Sequence, residues 1–221
     1  MNDLTDKAVS IGFSYTAIQN DFRENSIIVL TIVYHYWYTI VMSYYNIIYE
    51  YAADNYGLIT SEKAKEMGVP NVELVKLAHR GRLVHVGHGV YRIIHYIPTF
   101  YDRYAEAIAM VGDDAVVYAE SVLAMHNLAF VNPPAITVAL RRRNRKKLPS
   151  YINVVNPDKP YSVTEYEGIP SQCVYEALIV CKNLVMTERL REATDESERL
   201  GLISVFEAID VRSGLNERKN A

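Results

Sequence analysis

Six of the seven residues in Arg141-Arg142-Arg143-Asn144-Arg145-Lys146-Lys147 are cations. A run without an apolar side chain cannot be core, and six like charges repel one another unless a polyanion relieves them, so nucleic acid is the expected contact. Apolar stretches at 135–140 and 151–155 flank the run, which reads as the long, flexible tip of a β-hairpin. A second concentration of polar chemistry starts at Asn71. Asn71, Glu73 and Lys76 occupy the first turns of a short helix, and their groups suit base edges: Asn pairs with adenine, Lys with guanine, and Glu accepts from cytosine N4. Glu73 also suits the positive end of the helix dipole. Thr60, Ser61, His79, Arg80, Arg82, His88 and Arg92 lie around that helix and are expected to contact phosphate and set register, as are Arg141, Arg142, Arg143, Arg145, Lys146 and Lys147.

The elements that must position these groups follow in a compact order. Ile47, Ile48, Tyr51 and Ala52 form one apolar helical face that ends before Asn55 and Gly57. Leu58 and Ile59 form a short extended link, Thr60 or Ser61 caps a second helix at 62–67, and Gly68 closes it. Val69-Pro70 forces a turn. Asn71 is expected to cap a third helix, 72–80, with Leu74, Val75, Leu77 and Ala78 inward and Glu73, Lys76, His79 and Arg80 outward. Two strands, 83–86 and 90–94, flank Gly87-His88-Gly89 as a hairpin. Helix, helix, sharp turn, helix and hairpin is the order of a winged helix-turn-helix, whose third helix enters the major groove. Residues 57–95 carry six cations against three anions, a local charge of +3, and four of the six histidines (His79, His85, His88, His95).

The rest of the chain reads as a mixed α and β domain, giving an α+β protein overall. Expected there are a helix at 100–111 ended by Gly112, a strand at 115–118, a helix at 120–128, the two strands beside the basic run, a strand at 162–166, and helices at 171–184 and 187–200 closed by Gly201. Catalytic patterns are missing: there is no Gly-rich phosphate loop, no Gly-x-Ser-x-Gly and no His-Glu-x-x-His. His126 is the domain's one histidine and is expected to be a packed or capping residue. Asp113-Asp114 lacks the company a metal-dependent nuclease needs. The expectation is a protein that is not an enzyme, with no cofactor and no metal site. Cys173 and Cys181 stand eight residues apart in one expected helix, about 12 Å along its axis, too far for a disulfide. Two unpaired thiols fit a reducing compartment, the cytoplasm.

Composition limits the alternatives. The chain has 221 residues, a net charge of −3, a pI near 6.1 and 50% hydrophobic residues, which excludes a histone-like polycation and wholesale disorder. With +3 at 57–95 and +6 at 141–147, the remaining chain carries −12, so the near-neutral total is a sum of segregated patches. The most apolar stretch, 25–49, contains no charged residue. Its length suits a membrane helix, but its tyrosines, His35 and the lack of a cationic flank argue against one, so no membrane contact is expected. Residues 1–41 have the Ile/Tyr/Asn bias of translated AT-rich DNA, and Met42 is the expected natural start.

The motifs resemble a known family. The run Tyr56-Gly57-Leu58-Ile59-Thr60-Ser61-Glu62-Lys63-Ala64, then Gly68-Val69, then Leu77-Ala78-His79-Arg80-Gly81-Arg82-Leu83-Val84-His85-Val86-Gly87-His88-Gly89-Val90-Tyr91-Arg92, is similar to the N-terminal domain of AbiEi-type antitoxins. These are the regulator halves of bacterial type IV, abortive-infection toxin–antitoxin pairs used in phage defence. The resemblance continues at Ala119-Glu120-Ser121, Leu123-Ala124-Met125-His126-Asn127-Leu128, Gly168-Ile169-Pro170 and Glu188-Arg189-Leu190. It implies an extension at 1–41 that the family does not account for, a winged helix-turn-helix DNA-binding domain at 42–96, and a C-terminal antitoxin domain at 97–221. It further implies an autorepressor that binds double-stranded DNA of its own promoter, as a homodimer on repeated half-sites. Its partner would be a nucleotidyltransferase toxin, antagonised without a stable complex. Two other readings stay open: a winged-helix transcriptional regulator unconnected with a toxin, and a nuclease that holds its substrate with the basic run.

Overall fold

The computed structural model describes residues 44–219; the expectations for residues 1–41 and for a start at Met42 lie outside them. Residues Tyr49–Ala221 form one compact unit. The fold is α+β, with a winged helix-turn-helix towards its N-terminal end and a mixed domain after it. Among the described residues no helix is long and apolar enough to cross a membrane.

Residues 44–53 (α1) are helical. The Asn55 side chain donates to the Tyr51 carbonyl at 2.7 Å and closes the helix, and Tyr56 and Gly57 turn the chain with φ of 55° and 69°. Leu58–Thr60 (β1), expected as a mere link, is a strand paired antiparallel with Val90–Ile93 (β3). Leu83–Gly87 (β2) pairs with β3 on its other side, so the wing is a three-stranded sheet in the order β1-β3-β2. Between the strands lie Ser61–Glu66 (α2) and Asn71–His79 (α3). Thr60 is the cap of α2, its Oγ1 accepting from the Lys63 N–H at 3.1 Å.

Two expectations for α3 need correcting. Pro70, with no side-chain cap, precedes the helix, and Asn71 is its first residue rather than its cap. Leu74 and Leu77 are buried and Ala78 is half-buried, but Val75 is 45% exposed. At about 100° per residue the inward arc of so short a helix has room for 74, 77 and 78, and Val75 falls outside it.

Asp102–Val111 (α4) sits between the two sheets and packs on β1 as well as on strands of the second domain. Leu58 and Val90 of the wing accordingly share one core with Tyr104, Ala107 and Met110 of α4 and with Val117, Val138 and Ile169 beyond it. The second sheet holds Val116–Val117 (β4), Ile136–Ala139 (β5), Ile152–Val155 (β6), Val163–Tyr166 (β7) and Ile169–Gln172 (β8), in the order β6-β5-β4-β8-β7. Glu120–Met125 (α5), Val174–Val180 (α6), Thr187–Arg199 (α7) and Val205–Lys219 (α8) complete the domain.

Here the structure departs from the expected hairpin around the basic run. β5 and β6 are parallel, in register from Ile136 opposite Ile152 to Ala139 opposite Val155. Parallel strands need a crossover of a dozen or more residues, and residues 140–151 supply it, so the basic run travels along the domain instead of forming a tip. Residues 171 and 172, expected to begin a helix, belong with 169 and 170 to β8, which pairs with β7 across a two-residue turn at Glu167 (φ 50°) and Gly168 (φ 73°). That turn has positive φ at both central positions, the geometry that matches strand twist in a tight hairpin. Beyond Gly201 a further helix, α8, was not expected. Its start is marked by Ser204 and Glu207: the carboxylate accepts from the Ser204 N–H and Oγ–H at 2.7 Å each, and Ser204 Oγ accepts from the Glu207 N–H at 3.3 Å, a reciprocal cap.

Gly57 shows how closely the wing is fitted. A Cβ there would lie 2.5 Å from the Tyr96 ring, and its φ of 69° disfavours any side chain, whereas Gly68, at φ 78°, faces open space. Gly57→Ala should therefore cost about 2–4 kcal/mol, from backbone strain plus overpacking, and Gly68→Ala about 1 kcal/mol from strain alone. Urea denaturation of the two variants checks the order.

Candidate nucleic-acid interface

The third helix presents Asn71, Val72, Val75, His79 and Arg80 to solvent. Glu73 and Lys76, expected to reach separate bases, instead form an ion pair, Lys76 Nζ to Glu73 Oε1 at 2.7 Å. Only 12% of the Glu73 side chain is exposed. Spacing of three residues places them side by side on the helix, which favours pairing before any DNA is present. Ser61 lies at the wing: its N–H donates to the Gly89 carbonyl at 2.7 Å, so the start of α2 and the hairpin tip are tied together. Thr60 is half-buried and its hydroxyl serves the α2 cap. Arg82 and His88 are exposed on either end of β2.

Arg92 takes another direction. From β3 its guanidinium reaches α4, where Nη2 lies 3.1 Å from Glu106 and 3.8 Å from Asp102. Asp102 and Glu106 stand four residues apart, which puts both carboxylates on one face of α4, opposite β3. Asp102 is buried, and its Oδ1 also accepts from the Thr99 N–H (2.9 Å), Thr99 Oγ1 (2.6 Å) and the Tyr96 hydroxyl (3.1 Å). Glu106 accepts from the Tyr151 hydroxyl at the start of β6. Burial and this acceptor push the Tyr151 phenol well above its ordinary value, so it stays a donor. Arg92, expected among the DNA contacts, is thus a strut between the wing and the second domain.

The basic crossover is held in place at several points. Lys146 is half-buried and its Nζ donates to the Met110 carbonyl near the end of α4 at 3.2 Å. Asn144 folds back on Lys146, accepting from its N–H at 2.9 Å and donating to its carbonyl at 3.2 Å, a local turn typical of Asn. Arg142 pairs at 3.6 Å with Asp114 in the turn after α4, and Arg141 lies 5.8 Å over the Tyr161 ring. Arg141, Arg142, Arg143, Arg145 and Lys147 are exposed.

These anchors bring the crossover to the wing. Gly87 and His88 at the hairpin tip, Met110, and Lys146 through Pro149 close around one cavity of about 280 Å³. The wing tip and the basic run, some 60 residues apart in sequence, are therefore neighbours. A larger cleft of about 580 Å³ is lined by Asp54, Glu66, Asp113 and Glu165 with a single cation, Lys63, and its negative charge is unsuited to phosphate. What the arrangement can do is bind a polyanion along the wing and crossover while α3 meets base edges.

His126 ends α5 with its ring 3.8 Å from that of Tyr166, and burial lowers its pKa to about 4. Cys173 and Cys181 are free thiols at the two ends of α6, and burial pushes the Cys181 thiol far up. Among the described residues no group of three or more His, Cys, Asp or Glu is placed to hold a metal ion.

Arg92→Met separates the strut from a phosphate contact. Removing one member of a largely buried charge cluster leaves the others uncompensated, and about 3 kcal/mol of stability should be lost in a denaturant titration. The salt dependence of DNA binding by the folded variant should not change.

A family model described as a transcriptional regulator, AbiEi antitoxin, matches residues 46–94, the segment that holds the helix-turn-helix and the wing. No curated protein matches the chain.

Proposed function

We propose that this chain, whose residues 46–94 match the AbiEi antitoxin regulators, binds double-stranded DNA of its own promoter as an autorepressor. It does no catalysis and needs no cofactor. The observation that carries this reading is the placement of the basic crossover beside the wing tip around the cavity shared by His88, Lys146 and Lys147. One phosphate backbone can then run from His79, Arg80 and Arg82 across His88 to Arg141–Arg143, Arg145 and Lys147, with α3 in the adjacent major groove. Arg92 is left out of this set, because its charge is directed at α4.

Counterion release makes the reading quantitative. With roughly four contacts from the wing domain and several from the crossover, log K should fall with log salt at a slope of about −6 to −9 on the protein's own upstream duplex. Replacing Arg141, Arg142 and Arg143 by alanine should flatten the slope by about 2–3 and leave sequence preference intact. An unchanged slope would remove the crossover from the DNA surface.

The antitoxin role rests on the family match. Its proposed partner is a nucleotidyltransferase toxin encoded beside it, in the cytoplasm, countered without a lasting complex while a homodimer holds repeated half-sites. Co-expression should restore growth to cells carrying that toxin. Retained promoter binding without any rescue would instead favour a regulator unconnected with a toxin.

A further inference from the structure

Two side chains at the centre of the exposed face of α3 are apolar and lie outside the buried core. At about 100° per residue, Asn71, Val75, His79, Val72, Lys76 and Arg80 follow one another around an arc of roughly 180°, with Val75, His79 and Val72 in its middle. Val72 is 61% exposed and Val75 45%. The core side of the helix is filled by Leu74 and Leu77, and neither valine is part of it. Valine is also a poor choice for an exposed helical position, because its branched Cβ loses rotamer freedom against the preceding turn. Of the polar groups at the same end, Glu73 and Lys76 are paired with each other.

We infer that Val72 and Val75 read thymine: the exposed apolar centre of α3 packs against thymine 5-methyl groups in the major groove. The inference rests on the DNA-binding reading and adds a determinant of specificity to it. The thymine methyl is the apolar feature that base pairs present in the major groove, and it distinguishes thymine there. An apolar patch ringed by Asn71, His79 and Arg80, with the wing and its histidines alongside, matches a groove floor edged by phosphates better than it matches an apolar protein surface. Asn71, one position before Val72, remains placed to take the adenine paired with such a thymine or its neighbour.

The test uses the full chain and duplexes selected from a random pool. Each thymine of the selected duplex is replaced by uracil, which removes the methyl and keeps the pairing. Binding should weaken about fourfold at each contacted thymine. The doubly substituted V72A/V75A protein should bind the thymine duplex as weakly as the unsubstituted protein binds the uracil duplex, and should be indifferent to uracil. A thermal melt establishes that this variant is folded; alanine at exposed helical positions should not lower it. Equal affinity for thymine and uracil duplexes overturns the inference while leaving DNA binding in place, and so does a uracil penalty that persists in V72A/V75A. A change of oligomeric state in that variant without any uracil effect assigns the face to a second copy and overturns it as well. If no duplex is enriched above salt-dependent background, the DNA reading falls and this inference with it.

Discussion

The charge cluster at α4 is the constraint on which the rest of the arrangement turns. Arg92 is carried by the central strand of the wing sheet, and it meets two carboxylates one helical turn apart on α4. Asp102 is buried and would be costly without its donors, Thr99 and Tyr96, and the charge of Arg92 nearby. Tyr96 in turn packs against Gly57, at the turn that starts β1. Each member of the cluster therefore fixes a different piece of chain: the wing sheet, the linker to α4, and, through Glu106 and Tyr151, the start of β6. Far along the same helix, Met110 touches the wing at Gly87 and offers its carbonyl to Lys146. A rigid helix of ten residues spans about 15 Å, and over that length α4 sets the distance between wing and crossover.

This explains how a run of six cations can hold one conformation. Mutual repulsion alone would extend the run into solvent. It is opposed by one lysine whose ammonium is satisfied by a backbone carbonyl, by an arginine facing Asp114, by a guanidinium over Tyr161 and by the Asn144 turn. Exposed pairs such as Arg142 with Asp114 contribute little individually. Their effect is to decide where the charge sits, and the remaining cations face water with a defined neighbour, the wing tip. Charge of the opposite sign gathers in the cleft of Asp54, Glu66, Asp113 and Glu165, so the segregation legible in composition has a counterpart in space.

Much of the fold was legible because it rests on local signals. The periodic Leu74 and Leu77, the small cap before α2, the Gly68 and Gly81 turns and the Gly-flanked hairpin each act within a few residues. The places where sequence reasoning went astray involve partners far along the chain. Twelve residues between two apolar strands suit a hairpin or a crossover equally, and only the neighbours of β5 decide which. Pro170 argues against a strand, yet β8 tolerates it where its pairing with β4 is confined to Ser171 opposite Val117. Ser204-x-x-Glu207 was a readable cap, and with it α8 was within reach of the sequence.

The candidate interface divides in the same way. Sequence by itself determined that cations are concentrated at 57–95 and 141–147, that the third helix of a winged motif carries Asn71 and Lys76, and that no catalytic pattern accompanies them, because residue type and short-range spacing suffice for each. Tertiary structure alone decided that Arg92 faces inward, that Val72 and Val75 face outward, and that the basic run lies against the wing. Those outcomes depend on which surfaces the core leaves uncovered, and the core is closed by contacts between residues tens of positions apart, to which no local pattern gives access.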